Sequence, residues 1–349
     1  MPKEKIDLAA VKAMISKGRR SKWWQRKGTL KSGFHYVDAN GKKITSKEKV
    51  ERIECIVIPP AWKYVRISPS PNSDMQAVGM DTSGRIQYIY SEKSVQKNQR
   101  KKFAKIEKLG EYLPVLHEKI NKHIQLDGLP REKVLAVMVR LIDRLYFRVG
   151  TDESVRKYKT HGITTLQKKH LTIGRKGKLT FNFVGKSHVK HNVVLVDEKL
   201  AEIIKQLSNL GRARKIFQYV DEDDKKHAIK PNHLNKYIKE LTSPEFSAKD
   251  LRTWGGTLLA AVELAEMKKG SNKSERQKDI IKAVKNVAEQ LGNTPAVCRK
   301  SYIHPRVLSE YERGHTIEEF RPKKTRDLKK LEENFELEEQ ALLKMLSGN

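Results

Sequence analysis

Apolar positions come in short alternating runs over roughly the first hundred residues and recur at helical spacing over most of the remainder. Met75-Gln-Ala-Val-Gly-Met80 and Arg85-Ile-Gln-Tyr-Ile-Tyr90 flank Asp81-Thr-Ser-Gly84, a pattern that predicts a β-hairpin. Cys55-Ile-Val-Ile58, stopped by Pro59-Pro60, reads as another strand. Ser91 to Lys102 is polar, basic and poor in apolar residues, as expected of a segment crossing between domains, and places a boundary near residue 100.

Beyond it, Val134, Met138, Leu141 and Leu145 predict a helix, punctuated by Pro130 before it and Gly150 after it. Leu171 to Val196 changes period. Three apolar runs separated by Gly174-Arg-Lys-Gly177 and Gly185-Lys-Ser-His188 predict a three-stranded meander. Helical spacing resumes from about Lys199, through Leu251 to Glu266 and Glu275 to Leu291, with a charged tail from Lys324 to Met345. The expected fold class is α+β. It comprises a β-rich amino-terminal domain over residues 1–100 and a mainly helical domain with a short antiparallel sheet over residues 101–349.

Charge narrows the function. Lys and Arg number 72 against 42 Asp and Glu, a formal net charge of +30. Such a surplus calls for a polyanion, and nucleic acid is the leading partner because phosphate-bound counterions are released on binding. A passively basic protein has the same composition, so charge alone leaves that alternative open. No apolar run approaches the roughly 18 residues of a membrane span, and the amino terminus lacks an apolar signal segment. An intracellular location is therefore expected. Cys55 and Cys298 form no Cys-x-x-Cys pair, which fits a reducing compartment.

Gly185-Lys186-Ser187 resembles the end of a phosphate-binding loop, but position 180 is Thr where that loop needs Gly, so no nucleotide cofactor is expected. The 11 histidines form no recognisable metal spacing, and no metal is expected either.

The remaining signals are ordered clusters: Tyr146-Phe-Arg148-Val-Gly150, Phe183-Val-Gly-Lys186, Lys249-Asp-Leu-Arg252-Thr-Trp-Gly-Gly256, Leu291-Gly-Asn293-Thr-Pro295 and Arg299-Lys-Ser-Tyr302-Ile-His-Pro305. In order and spacing, from about residue 140 to 305, they resemble the small type IB DNA topoisomerases of the poxvirus-like and bacterial branch, also found in large DNA viruses. The resemblance implies a monomeric, C-shaped clamp on duplex DNA that relaxes supercoils by cutting and resealing one strand without ATP or metal. It makes Tyr302 the nucleophile, leaving a 3′-phosphotyrosyl bond that conserves the phosphodiester energy. It assigns Arg148 and Arg252 to the scissile phosphate, whose transition state carries extra charge on its oxygens, and Lys186 to protonation of the leaving 5′-oxygen.

Asn293 stands where poxvirus and eukaryotic members carry His, as in bacterial members, and an amide donates a hydrogen bond without titrating. Gln87, Tyr88 and Tyr90 match the segment that touches DNA in poxvirus members. By strand alternation the tyrosines share one face and Gln87 lies on the other, and the competing reading packs both tyrosines into the small domain's core. Thr151-Asp-Glu-Ser154 departs from the lysine-rich poxvirus pattern.

Plain structural readings stand beside these roles. Tyr302 would end a helix, Arg148 would sit near a helix C-terminus, Arg252 would pair with Asp250, Lys186 would be a solvated turn lysine, and Asn293 would cap the helix beginning at Pro295. Two further functions compete: a tyrosine recombinase, which shares the tyrosine, arginine and lysine chemistry, and a non-catalytic architectural nucleic-acid-binding protein.

Overall fold

The computed structural model describes residues 8–211, 213–268, 270–321 and 331–348. The chain divides into two units between Lys102 and Phe103.

In the first unit, α1 (Leu8–Ser16) precedes the strands β1 (Trp24–Thr29) and β2 (Gly33–Val37), the helix α2 (Lys47–Cys55), and the strands β3 (Lys63–Ile67), β4 (Met75–Met80) and β5 (Ile86–Tyr90). The five strands form one sheet in the order β2-β1-β3-β4-β5. The predicted hairpin is present, with Val78 opposite Tyr88, Gly79 opposite Gln87 and Met80 opposite Ile86. Asp81 closes its turn by accepting the Ser83 and Arg85 backbone N–H groups at 2.9 Å each. The unit's core joins Ile53 of α2 to Val65, Ile67 and Ala77 of the sheet.

The strand expected over Cys55 to Ile58 is absent. Cys55 is the last residue of α2, and the following residues turn with Val57 at φ 53° and 78% exposed. The cause is the register upstream: Lys47 to Cys55 places Ile53 toward the sheet, and burying that side chain fixes the segment as a helix. The apolar run after it is left to the turn before Pro59.

The polar segment after β5 is helical rather than a loose crossing. It forms the opening turns of the long α3 (Glu92–Ile124), whose later part buries Ile106, Leu109, Leu113, Leu116 and Ile120.

In the second unit, α4 (Arg131–Leu145) follows and is buried along nearly its whole length. It stops at Tyr146, which takes the left-handed conformation (φ 54°) and donates its N–H to the Ile142 carbonyl, so the helix ends before Gly150 is reached. The short α5 (Asp152–Tyr158) leads to the meander β6 (Leu171–Ile173), β7 (Lys178–Val184) and β8 (Lys190–Val196), a three-stranded antiparallel sheet in that order. Leu179, Phe181 and Phe183 alternate inward from β7.

Next come α6 (Glu198–Asn209), the small pair β9 (Gln218–Val220) and β10 (Lys226–Ala228), and α7 (Pro231–Leu241). The helices α8 (Ala248–Glu266), α9 (Lys273–Leu291), α10 (Pro295–Ser301), α11 (Pro305–Arg313) and α12 (Leu331–Ser347) complete the unit. Of the predicted charged tail, residues 324–330 lie outside the described residues, and the remainder falls in α12. The architecture is a mixture of helices and antiparallel sheets, as α+β requires. No helix among the described residues is long and apolar enough to cross a membrane.

Candidate active site

Four of the residues singled out in the sequence meet in the second unit, each delivered by the end or the small-residue face of an element. Arg148 follows α4. Phe147 beside it is 1% exposed and packs edge-on against Phe181 and Phe183 of β7, at 5.3 and 5.2 Å between centroids. The Arg148 carbonyl accepts the Ile163 N–H at 2.8 Å, and the Val149 carbonyl accepts the Thr164 N–H at 2.9 Å. Gly150 (φ 78°) lies so close to Gly162 that a Cβ on it would sit 2.7 Å from the Gly162 Cα. The backbone carrying Arg148 is thereby fixed from both sides.

Arg252 projects from the second turn of α8 and is 3% exposed. Asp250 does not pair with it. That carboxylate instead accepts from Lys105 Nζ at 2.8 Å and from the Ser247 hydroxyl at 2.7 Å. The two glycines after Trp254 are sites of close approach. A Cβ on Gly255 would lie 2.3 Å from the Tyr146 ring, and one on Gly256 would lie 2.9 Å from the Tyr302 carbonyl oxygen. Tyr302 follows α10, with its N–H donating to the Cys298 carbonyl at 2.8 Å. The Thr257 hydroxyl stands 3.2 Å from the Tyr302 carbonyl and accepts the His304 N–H at 3.1 Å.

Asn293 sits between two helices. Gly292 (φ 60°) ends α9 in the left-handed conformation, Asn293 N–H donates to the Ala288 carbonyl at 2.8 Å, and the cap of α10 is Thr294 rather than Asn293.

The side chains of these four residues interlock. Arg148 Nη2 donates to the Asn293 Oδ1 at 2.5 Å and to the Gly292 carbonyl at 3.0 Å, while Arg252 Nη2 donates to the Leu291 carbonyl at 3.2 Å. The Arg252 guanidinium also hydrogen-bonds the Tyr302 side chain, its Cζ 5.5 Å from the ring centroid. Two donors, Arg252 Nη1 and Asn293 Nδ2, are buried without a hydrogen-bond partner among the described residues. Because Arg148 holds the amide oxygen, the Asn293 amide nitrogen is the free end.

Burial and mutual repulsion strain the cations. Arg148 falls below the ordinary arginine value through desolvation, and Arg252 drops to about 10, chiefly through desolvation and then through Arg148. Cys298 is buried nearby, and loss of solvation raises its thiol to about 11, which leaves it unreactive.

Lys186 lies at the β7–β8 turn. Gly185 N–H donates to the Val189 carbonyl at 2.8 Å, and Ser187 (φ 61°) and His188 (φ 59°) make the left-handed reversal. Its side chain is exposed and makes no ion pair or hydrogen bond among the described residues. Arg299 and Lys300 are also exposed.

A residue not singled out from the sequence, His191 of β8, belongs to this region. Its ring stacks on Phe183 (4.8 Å between centroids, 14° between planes), and burial followed by Arg148 and Arg252 holds it down at about 4. The strand alternation that puts His191, Val193 and Leu195 on one face was the available signal.

In the first unit, Tyr88 and Tyr90 are 40% and 43% exposed with ring centroids 6.2 Å apart, and Arg20 lies 5.6 Å from the Tyr88 ring. They do not pack in the core. Gln87 points to the turn, donating its amide to Asp81 at 2.9 Å. Elsewhere in the second unit the fold brings together three distant residues, His117, Asp143 and Glu339. The imidazole nitrogens lie 3.6 Å from Asp143 and 3.5 Å from Glu339, a buried polar cluster invisible in the sequence spacing.

Comparison with known proteins points one way. A family model described as the eukaryotic DNA topoisomerase I catalytic core matches residues 91–332, and one described as the bacterial DNA topoisomerase IB amino-terminal domain matches residues 33–81. The DNA topoisomerase 1B of Acanthamoeba polyphaga mimivirus is 35% identical over 286 residues, covering 80% of this chain and 84% of the viral protein. DNA topoisomerase 1B of Vaccinia virus (strain Copenhagen) is 26% identical over 66% of this chain and 70% of its own length. DNA topoisomerase 1 of Schizosaccharomyces pombe is 28% identical over 48% of this chain and 20% of its own.

Proposed function

The chain belongs to the type IB DNA topoisomerase family, and from that premise we propose that the cluster around Arg252 performs strand cleavage through Tyr302. The Tyr302 phenol oxygen attacks a backbone phosphorus, the bond from phosphorus to the 5′-oxygen breaks, and a 3′-phosphotyrosyl link and a 5′-hydroxyl result. The phenolic proton passes to water. Lys186 supplies the proton taken up by the departing oxygen, a contribution of roughly 10²- to 10⁴-fold for general acid catalysis. Religation is the reverse. The phosphodiester energy is retained in the covalent bond, so resealing needs no ATP, and in this reading the buried guanidiniums, not a metal, meet the charge on the phosphate oxygens.

The carrying observation is that Arg252 engages the Tyr302 side chain while its own Nη1 and the nearby Asn293 Nδ2 remain buried and unpartnered. Phosphate oxygens would meet both donors. In the transition state those oxygens bear more charge, so fixed buried donors favour it over the ground state. Arg148 supports the reading in two ways: it adds a second guanidinium, and it orients the Asn293 amide.

The exposed Tyr88 and Tyr90, with Arg20 over one ring, support a DNA-contacting role for the first unit. We propose that the two domains, 1–100 and 101–349, close on duplex DNA as a monomeric clamp. Gln87 would add to base contact only by releasing Asp81.

The test is relaxation of a supercoiled plasmid in EDTA without ATP, with a denaturing trap for protein bound covalently to DNA, run beside Tyr302→Phe. Relaxation and a 3′-linked adduct that vanishes in the variant, with duplex affinity nearly unchanged, are expected. An adduct that persists in Tyr302→Phe would remove Tyr302 as the nucleophile.

A further inference from the structure

The glycine contacts around His191 show a spacer. A Cβ on Gly185 would lie 2.6 Å from the His191 Nε2, and one on Gly292 would lie 2.8 Å from its Cε1. The imidazole, with Val189 Cγ1 3.3 Å from the same Gly292 position, therefore fills the space between two turns. The first carries Lys186 immediately after Gly185, and the second carries Asn293 immediately after Gly292. Neither glycine can be given a side chain without moving the ring. The ring cannot move freely either, because its face is stacked on Phe183, its cross-strand partner. Phe183 in turn packs on Phe147, the residue before Arg148. His191 thus touches the lysine turn on one side and the phosphate-facing turn on the other, and its stack leads to the arginine segment.

We propose that His191 is a positioning residue that sets the separation between the Lys186 turn and the Arg148–Asn293–Arg252 cluster, so that the lysine ammonium meets the leaving 5′-oxygen. The inference rests on the reading of Lys186 as the proton donor. Lys186 has no side-chain partner among the described residues, and its turn is a two-residue reversal, so nothing on the lysine itself fixes how far the hairpin stands from the cluster. The spacer does.

A neutral ring suits the place. Two guanidiniums already crowd the site, and a third fixed cation would raise the cost of burying them. The imidazole is uncharged at neutral pH, so it holds the gap without adding to that repulsion. In the balanced step, the Tyr302 phenol gives its proton to water as its oxygen bonds to phosphorus, and the Lys186 ammonium gives one proton to the 5′-oxygen as the bond from that oxygen to phosphorus breaks, leaving a neutral amine and a 5′-hydroxyl. His191 exchanges no proton in it.

The experiment compares two duplexes of one sequence, one with the ordinary 5′-oxygen at the scissile bond and one with sulfur in that bridging position. A thiolate leaves without a proton, so the sulfur duplex bypasses the acid. Single-turnover cleavage is measured for the wild type, His191→Ala, His191→Phe and Lys186→Ala. The oxygen-to-sulfur rate ratio within one preparation is independent of the fraction of protein that is folded.

His191→Ala is expected to slow cleavage of the oxygen duplex about 10- to 100-fold, in line with an ångström-scale misplacement of a reacting group. On the sulfur duplex it should stay within about threefold of wild type, as for any step that no longer needs general acid. His191→Phe, which keeps a neutral ring on Phe183, should recover most of the loss. Equal loss on both duplexes, or no loss on either, overturns the inference. Rescue of Lys186→Ala but not of His191→Ala by sulfur also overturns it while leaving the acid role of Lys186 intact. If sulfur rescues neither variant, the acid reading itself fails and the spacer role falls with it.

Discussion

At the residue scale, Asn293 shows how far a local motif can be read. The ordered clusters in the sequence were enough to single out Tyr302, Arg148, Arg252 and Asn293, and those four meet. What sequence could not give was the direction of the amide. The fold settles that by turning Oδ1 to Arg148, which leaves Nδ2 as a buried donor. Removing one preorganised donor to a developing oxyanion costs about 10²- to 10³-fold in rate. Asn293→Ala should therefore slow single-turnover cleavage by about that factor. Asn293→His, which restores a ring N–H, should lose less, and Asn293→Asp, which replaces the donor by a like charge to the phosphate, should lose most. Rapid-quench cleavage of a short duplex ranks them, and His falling below Ala would refute the donor role. His191 escaped the sequence reading because its contacts come from Gly185 and Gly292, about a hundred residues apart in the chain, and two glycines advertise nothing of the ring that lies between them.

At the element scale, the same contrast appears in helix ends and faces. The hairpin of β4 and β5 was legible because its turn carries Asp81 and Gly84, whose preferences are local. The strand expected over Cys55 to Ile58 was not, because burial of Ile53 against the sheet decided that segment from a distance. On α8, Gly256 faces the Tyr302 backbone, so Gly256→Ala should gain helix propensity of about 0.5–1 kcal/mol yet displace Tyr302. Thermal unfolding should change little while cleavage slows at least tenfold; unchanged cleavage would contradict the contact.

The end of α11 gives a pH prediction. His304 caps this helix, its Nδ1 accepting the Arg306 N–H at 3.1 Å, and its buried Nε2 lies 2.9 Å from the Glu107 carboxylate without a hydrogen bond among the described residues. Burial, then Arg306, lowers it from the ordinary 6.5 to about 4. A folded value below the unfolded one means that the unfolded chain binds the extra proton between those limits, so this stability is present above 6.5 and is lost as pH falls toward 4. His304→Asn keeps an acceptor at the cap but does not titrate. Urea unfolding from pH 7.5 to 5 should show a shallower decline for the variant, and parallel curves would contradict the assignment.

At the scale of the whole molecule, charge and chemistry separate. The net charge of +30 was legible at once, but it does not say which cations act on phosphate in the reaction and which only hold the DNA. Burial separates two groups of them: Arg252 is 3% exposed and tied to Tyr302, whereas Arg299 and Lys300 are exposed. Each phosphate neutralised on binding adds about −0.9 to the slope of log affinity against log salt. Arg252→Ala can then remove at most about one such contact, so its salt slope should shift by no more than about 0.9. A duplex titration from 50 to 200 mM salt should show that small change beside a loss of cleavage of about 10² or more, the scale of one preorganised donor. Replacing Arg299 and Lys300 together by Ala should do the reverse wherever they touch the backbone, flattening the slope while single-turnover cleavage at saturating enzyme stays within a few-fold. If instead Arg252→Ala weakens binding and slows cleavage by the same factor, the arginine stabilises ground state and transition state alike, and the buried cluster is a binding site rather than the place where the strand is cut.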